Sequence, residues 1–281
     1  MFIVKGGVAV VTGAASGIGA ALADQLAGKG CGLALCDRNA EQLAGVAAAA
    51  RAKGVKVSEH VFDVADRGAL EALPAAVLAE HGRVSLLINN AGVALMGRFD
   101  QVSLADFEWL MDINFWGPVR LTHAFLPHLL AQPAAHIVNL SSVFGLFAPP
   151  GQAPYVASKF GVRGFSESLR HELEGTSVGL TVVHPGGVRT AIAASARIPG
   201  SIDAGLGKEA TQAFDKMLRT SAPSAAATII RGIERRSPRV LIGADAKAGD
   251  FVQRLLPSRY WGLMKTQAGP MEKFVGKPGQ A

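Results

Sequence analysis

Tyr155 and Lys159 stand four residues apart in the stretch Tyr155-Val156-Ala157-Ser158-Lys159. Pro149, Pro150, Gly151 and Pro154 precede them, so a helix is expected to begin close to Tyr155 and to carry both on one face. A free phenol titrates at about 10. A neighbouring ammonium stabilises the phenolate, which makes a tyrosine able to exchange a proton with an alcohol near neutral pH. Ser142 lies thirteen residues upstream, at the end of an apolar run, where a hydroxyl can hold a substrate oxygen. Asn114 sits inside a long helical pattern, Ala105–Leu130, where asparagine is a poor interior residue. Two readings stand for it: a local kink that binds a water, or a core amide satisfied by its neighbours.

The elements that must position these groups alternate. Strands are expected at Val8–Thr12, Gly32–Asp37, Lys56–Phe62, Val84–Asn89, His136–Ser142, Val178–His184 and Arg239–Ile242. Helices are expected to start near Gly17, Asn39, Asp66, Leu104, Tyr155 and Pro223. Continuous apolar strands separated by helices imply an α/β fold, a doubly wound parallel sheet with helices on both faces. In the expected strand order, 3-2-1-4-5-6-7, ligands sit beyond the carboxyl ends of the strands. The chain then reads as one domain over residues 1–281, with a substrate lid at about 191–220 and a C-terminal extension at about 244–281.

The first strand runs directly into Gly13-Ala14-Ala15-Ser16-Gly17-Ile18-Gly19. Glycines at such a strand-to-helix turn let backbone N–H groups approach a pyrophosphate at the helix N-terminus. Asp37, eighteen residues after Gly19, ends the second strand, where a carboxylate bonds ribose hydroxyls and repels a 2′-phosphate. NAD is therefore favoured, while Arg38 keeps NADP open. Asp63, after the third strand, reads either as an adenine contact or as a helix cap. Asn89-Asn90-Ala91-Gly92 ends the fourth strand and reads as a close pass by the cofactor or as an ordinary Asn/Gly turn.

In their order, TGAASGIG, Asp37, NNAG, Asn114, Ser142, YVASK and Pro185-Gly186-Gly187-Val188-Arg189-Thr190 resemble the single-domain short-chain dehydrogenases/reductases. The resemblance runs from about Val8 to Thr190. It implies that Tyr155 is the general acid/base, and that Lys159 lowers its pKa and binds the nicotinamide ribose. It further implies that Ser142 holds the substrate oxygen and that Asn114 anchors a water in a proton relay. Cofactor contacts are implied for Gly13, Ser16, Gly17, Ile18, Gly19, Asp37, Arg38, Asp63, Val64, Asn90, Ala91 and Gly92. On the nicotinamide side they are Tyr155, Lys159, Pro185, Gly186, Val188 and Thr190. The implied activity is hydride transfer between NAD(P) and a secondary alcohol or ketone. A non-catalytic NAD(H)-binding regulator on the same fold is the alternative. Assembly as a homodimer or homotetramer, through the helices near Leu104 and Tyr155, is also implied.

Other classes fit less well. Gly175-Thr176-Ser177-Val178-Gly179 matches a hydrolase nucleophile pattern, but a helix precedes the serine and a strand follows, the reverse of what that motif needs. The seven histidines are scattered, so no metal is expected. Cys31 and Cys36 are expected to face opposite sides of the sheet as reduced thiols, which suits a cytoplasmic protein. Met1–Val188 carries 13 basic and 15 acidic residues and Arg189–Ala281 carries 15 and 7, so the net charge of +6 arises in the last third. No basic helix or aromatic-basic array accompanies it, which argues against nucleic acid and leaves a solvated surface, an anionic substrate or an acidic membrane.

Three apolar segments, around Val93–Met96, Phe144–Pro150 and Ile192–Ile202, are expected to border a pocket for a hydrophobic substrate of steroid, retinoid or long-chain type. The same side chains also suit plain core packing. Asp250–Lys265 mixes Phe251, Leu255, Tyr260 and Trp261 with Arg254, Arg259 and Lys265, a pattern suited to peripheral membrane contact, a pocket cover or a subunit interface.

Overall fold

Side chains along β1 (Val8–Thr12) alternate between two apolar layers, as a strand buried on both faces requires. Ala9 and Val11 join Leu22 and Leu26 of α1 (Gly17–Gly28), Leu43 of α2 (Ala40–Arg51) and Ile229 and Ile233 of α7 (Ala222–Glu234). Val8 and Val10 join Leu70, Leu73 and Val77 of α3 (Arg67–His81) and Leu121, Phe125 and Leu129 of α5 (Gly117–Leu130). Cys31 lies in the first layer and Cys36 in the second, both buried and unpaired. The computed structural model describes residues 1–200, 202, 205, 212 and 218–265.

The remaining strands are β2 (Gly32–Asp37), β3 (Val57–Val61), β4 (Leu86–Asn89), β5 (Ala135–Leu140), β6 (Val178–Pro185) and β7 (Arg239–Ile242). All pair in parallel, in the spatial order β3-β2-β1-β4-β5-β6-β7. The order reverses between β1 and β4, in register Val11 to Ile88, which opens a crevice beyond their carboxyl ends. A two-residue ladder pairs Val188–Arg189 with Thr220–Ser221. Much of the expected lid at 191–220, and the end of the C-terminal extension at 266–281, lie outside the described residues.

Two expectations change. The helix expected over Ala105–Leu130 is α4 (Leu104–Met111), a π-turn (Asp112–Trp116) and then α5. The Gly117 N–H reaches back five residues to the Asp112 carbonyl, and Pro118 brings no N–H to continue the regular ladder. Helix capping at the end of β3 falls to Asp66, whose carboxylate accepts from the Ala69 N–H at 3.1 Å. Asp63 instead closes a tight turn, accepting from Ala65 N at 2.9 Å.

Two histidines are buried in the sheet. His136 in β5 bonds Thr181, and His184 in β6 bonds the Ser142 carbonyl. Burial pushes them down to about 3 and about 4, so both are neutral in the folded protein. Unfolded histidines titrate at about 6.5, so below that pH the unfolded chain binds more protons and gains on the fold. Stability is therefore expected to fall as pH drops from about 6.5 towards 4, by at most about 1.4 kcal/mol per pH unit for each histidine. Urea midpoints measured at pH 7, 6 and 5 check this, and a flat profile would contradict the buried neutral state.

Candidate active site

Gly13 and Gly17 adopt left-handed backbone, φ +64° and +54°, and turn the chain from β1 into α1. A Cβ at Gly19 would overlap the Gly13 carbonyl, so only glycine lets the helix pack this close to the turn. α2, α3, α4 and α7 each begin with a side-chain cap, from Asn39, Asp66, Ser103 and Ser221. α1 does not: Ser16 is exposed and caps nothing, and no acid lies in the first turn. Its N–H groups and the positive end of its dipole thus suit a pyrophosphate. Ile18 packs into the layer beneath.

Asp37 reaches this loop from the end of β2. One carboxylate oxygen accepts from Ala15 N and the other from Asn39 N, both at 3.0 Å, while Arg38 is exposed. Val64 packs against Gly117. Asn90 closes the other side: its amide donates to the Thr12 carbonyl at 2.8 Å and to that of Gly13 at 3.1 Å. The N–H groups of Asn90 and Ala91 both bond Thr12 Oγ1 at 3.1 Å. The Asn/Gly turn therefore stitches β4 to β1. Thr190, at the end of the Pro185–Thr190 loop, comes close enough to Gly17 that a Cβ there would lie 3.1 Å from its methyl. Glycine-rich turn, acidic strand end and Thr190 thus surround one crevice that fits a dinucleotide.

The groups expected to transfer the proton gather beside it. Tyr155 and Lys159 lie on α6 (Ala153–Glu172), with Lys159 Nζ 5.6 Å from the Tyr155 ring centre. Lys159 is buried, donates to the Leu140 carbonyl at 3.1 Å, and is pushed down to about 8 by burial. Burial also raises Tyr155, and a hydrogen bond with Ser142 draws it back. Lys159 gives one of its three N–H donors to the Leu140 carbonyl, and the hydrogen bond with Ser142 favours the phenolate.

Ser142 lies two residues beyond β5, not within it. Its backbone stays extended, but its carbonyl accepts from His184 Nδ1 at 2.9 Å instead of a strand, and its Oγ caps Phe144 N at 3.1 Å. Ser141 points away and donates to the Lys159 carbonyl at 2.8 Å. Asn114 lies in the π-turn, fully buried, and faces Gly92 as Lys159 does. Its amide accepts from Val93 N at 2.8 Å and donates to Val93 O at 2.9 Å, with Ser158 Oγ at 3.4 Å. The kink expected at Asn114 is this π-turn, and its amide is satisfied by its neighbours.

The short chain dehydrogenase family matches residues 7–199. The chain belongs to that family. SadH of Mycobacterium tuberculosis is 44% identical over 263 residues, 92% of this chain and 94% of its own. A short-chain dehydrogenase/reductase from Burkholderia phymatum, solved in complex with NAD, superposes with a TM-score of 0.85 at 32% identity, covering 92% of this chain and 96% of the other. A metagenomic short-chain oxidoreductase solved with NADP gives 0.68 at 31%, over 85% and 97%. This short-chain dehydrogenase/reductase is thus an NAD(P)-dependent oxidoreductase.

Sequence reasoning missed the contacts of His184, which stands just outside the Pro185–Thr190 motif, and of Ser158, which is only the filler of Tyr-x-x-x-Lys. Among the described residues, no group of three or more His, Cys, Asp or Glu is placed to hold a metal. Bound NAD(P) supplies or accepts the hydride; the protein must hold the alcohol oxygen and move its proton. Tyr155→Phe keeps the ring and removes that proton, so kcat is expected to fall about 10²- to 10⁴-fold while NADH affinity stays unchanged. Steady-state rates beside fluorescence titration with NADH check it, and a variant with near-normal kcat would remove Tyr155 from proton transfer.

Proposed function

We propose that the protein interconverts a hydrophobic secondary alcohol and its ketone with NAD, and that Tyr155, Ser142, Lys159 and Asn114 carry the chemistry in the roles set out above. The observation that carries the substrate reading is the gathering of three apolar segments beside Tyr155. Met96 N donates to the Arg197 carbonyl and Arg197 N to that of Ala94, while Gly97 N donates to that of Gly151. The segments after β4, after β5 and after Thr190 are so laced together. Phe144 stands edge-on to Tyr155, ring centres 6.2 Å apart at 90°, as an apolar wall next to the phenol. Much of the remaining apolar surface there, Leu95 and Leu146 included, is packed inward, which narrows the substrate-facing set.

The anchored Asp37 carboxylate supports NAD over NADP, since a 2′-phosphate would meet a negative charge that two backbone N–H groups hold in place. The NAD complex of the Burkholderia relative agrees, and the NADP complex of the metagenomic one shows that the fold accepts either. Cytoplasmic residence is supported by the two buried reduced thiols, and no described helix is long and apolar enough to cross a membrane. A homo-oligomer is supported by a shallow apolar groove of about 450 Å³ along α6, lined by Ala153, Val156, Ala157 and Phe160.

Peripheral contact with an anionic bilayer has an observation of its own. On α8 (Ala244–Leu255) and α9 (Tyr260–Met264) the exposed apolar residues Phe251, Leu255, Leu256 and Leu263 lie among exposed Arg254, Arg259 and Lys265. Failure to co-sediment with anionic vesicles would exclude it.

Titration with NADH and NADPH is expected to show tighter NADH binding, with Asp37→Ala narrowing the difference. Tighter NADPH binding in the unaltered protein would overturn the NAD assignment. Turnover across steroid, retinoid and long-chain alcohols is expected to exceed that of sugars and hydroxy acids, and the opposite ranking would sink the substrate class.

A further inference from the structure

The family match ends at residue 199, yet a residue far beyond it grips the loop assigned to the nicotinamide. Asp245 stands in the first turn of α8, directly after β7. Its carboxylate accepts from Gly187 N at 2.6 Å, a short charge-assisted bond. A Cβ at Gly186, or at Gly243, would overlap the same carboxylate. Both positions are therefore bare where Asp245 lies against the loop. The next peptide is held as well, because the Gly187 carbonyl accepts from Arg219 N and Thr220 N, each at 3.0 Å. Gly186 N donates to Ile242 O at 2.9 Å and fastens the loop to the end of β7.

We propose that Asp245 is a positioning residue for nicotinamide binding: it fixes the Gly186–Gly187 peptides so that the Pro185–Thr190 loop is already in its binding shape. The inference rests on the assignment of that loop to the nicotinamide end of NAD(H), and it deepens that reading. A preformed loop loses less conformational freedom when the ligand binds, so its anchor contributes to affinity without touching the ligand. The anchor lies on α8, whose Asp250 is tied to Arg239 of β7 at 2.5 Å and whose Gly249 packs against Phe147. Asp245 itself is exposed, so its replacement removes no core contact.

The ligand pair NADH and ADP-ribose separates positioning from general damage, since ADP-ribose has the adenine and pyrophosphate halves without the nicotinamide. For Asp245→Ala, the Kd for NADH is expected to rise about tenfold while that for ADP-ribose stays within about twofold. Asp245→Asn keeps an acceptor oxygen and is expected to recover most of the loss. Gly186→Ala, which displaces the carboxylate, should reproduce the split. Calorimetric titration of the full chain reads all four. An unchanged NADH affinity, or an equal loss for both ligands, overturns the proposal. Failure of the unaltered protein to bind NADH while it binds ADP-ribose overturns the nicotinamide assignment first, and the inference with it.

Discussion

A parallel strand that leaves its sheet strands its backbone carbonyls, and in a water-poor interior each must find a donor. At the carboxyl end of β5 this demand shapes the active site. Beyond Leu140 the chain turns away from the sheet, and no neighbouring strand takes up its last carbonyls. Lys159 donates to Leu140 O from α6, and Ser142 O accepts from His184 of β6 and from the Gly145 N–H of its own turn. The partners that satisfy the backbone are thus the groups that fix where Lys159 and Ser142 sit. Ser141 returns the favour by bonding the Lys159 carbonyl, which pins strand end and helix together.

The nucleotide side obeys a steric version of the same constraint. β1 can deliver its turn to α1 only if Gly19 lies against the Gly13 carbonyl, and β4 can deliver Ala91 only if Gly13 has no side chain in the way. Thr12 and Asn90 lock the two strand ends in that contact, and Asp37 holds the loop from the far side. The crevice at the switch point is therefore held in shape by the protein's own contacts. Further in, Asn89 donates to Thr122 and Asn139, and Asn139 donates to Ser166, a buried polar chain that ties β4 and β5 to α5 and α6.

The basic last third of the chain also has a structural use. Arg239 and Arg254 meet at Asp250, Arg197 pairs with Asp106 at 2.6 Å and lies over Trp109, and Arg236 donates to the Ser177 carbonyl at 2.8 Å. Arg239, Arg197 and Arg236 each fasten a late segment to the sheet or to α4, while Arg254 braces Asp250 within α8. Part of the charge excess is thus consumed within the fold, while Arg259 and Lys265, beside the exposed apolar residues of α8 and α9, stay at the surface.

The strands, the glycine turn, Asp37 and the Tyr155–Lys159 pair were legible in the sequence because each depends on local chemistry, period, turn residues and i, i+4 spacing, while the strand order followed from the doubly wound fold class. The start of α3 at Asp66 was legible as well, whereas the tight turn that Asp63 closes on Ala65 N was not. Other features depend on contacts between segments far apart in the chain, which spacing does not encode. The π-turn at Asn114 joins a helix to Val93, the hold on Ser142 comes from His184 in the next strand, and the grip on Gly187 comes from Asp245, 58 residues on. By itself the sequence determined the fold and the types of group at the site. Which carbonyl Lys159 serves, which serine faces the phenol and what holds the nicotinamide loop were decided only when buried polar groups from separate elements had to find each other as partners.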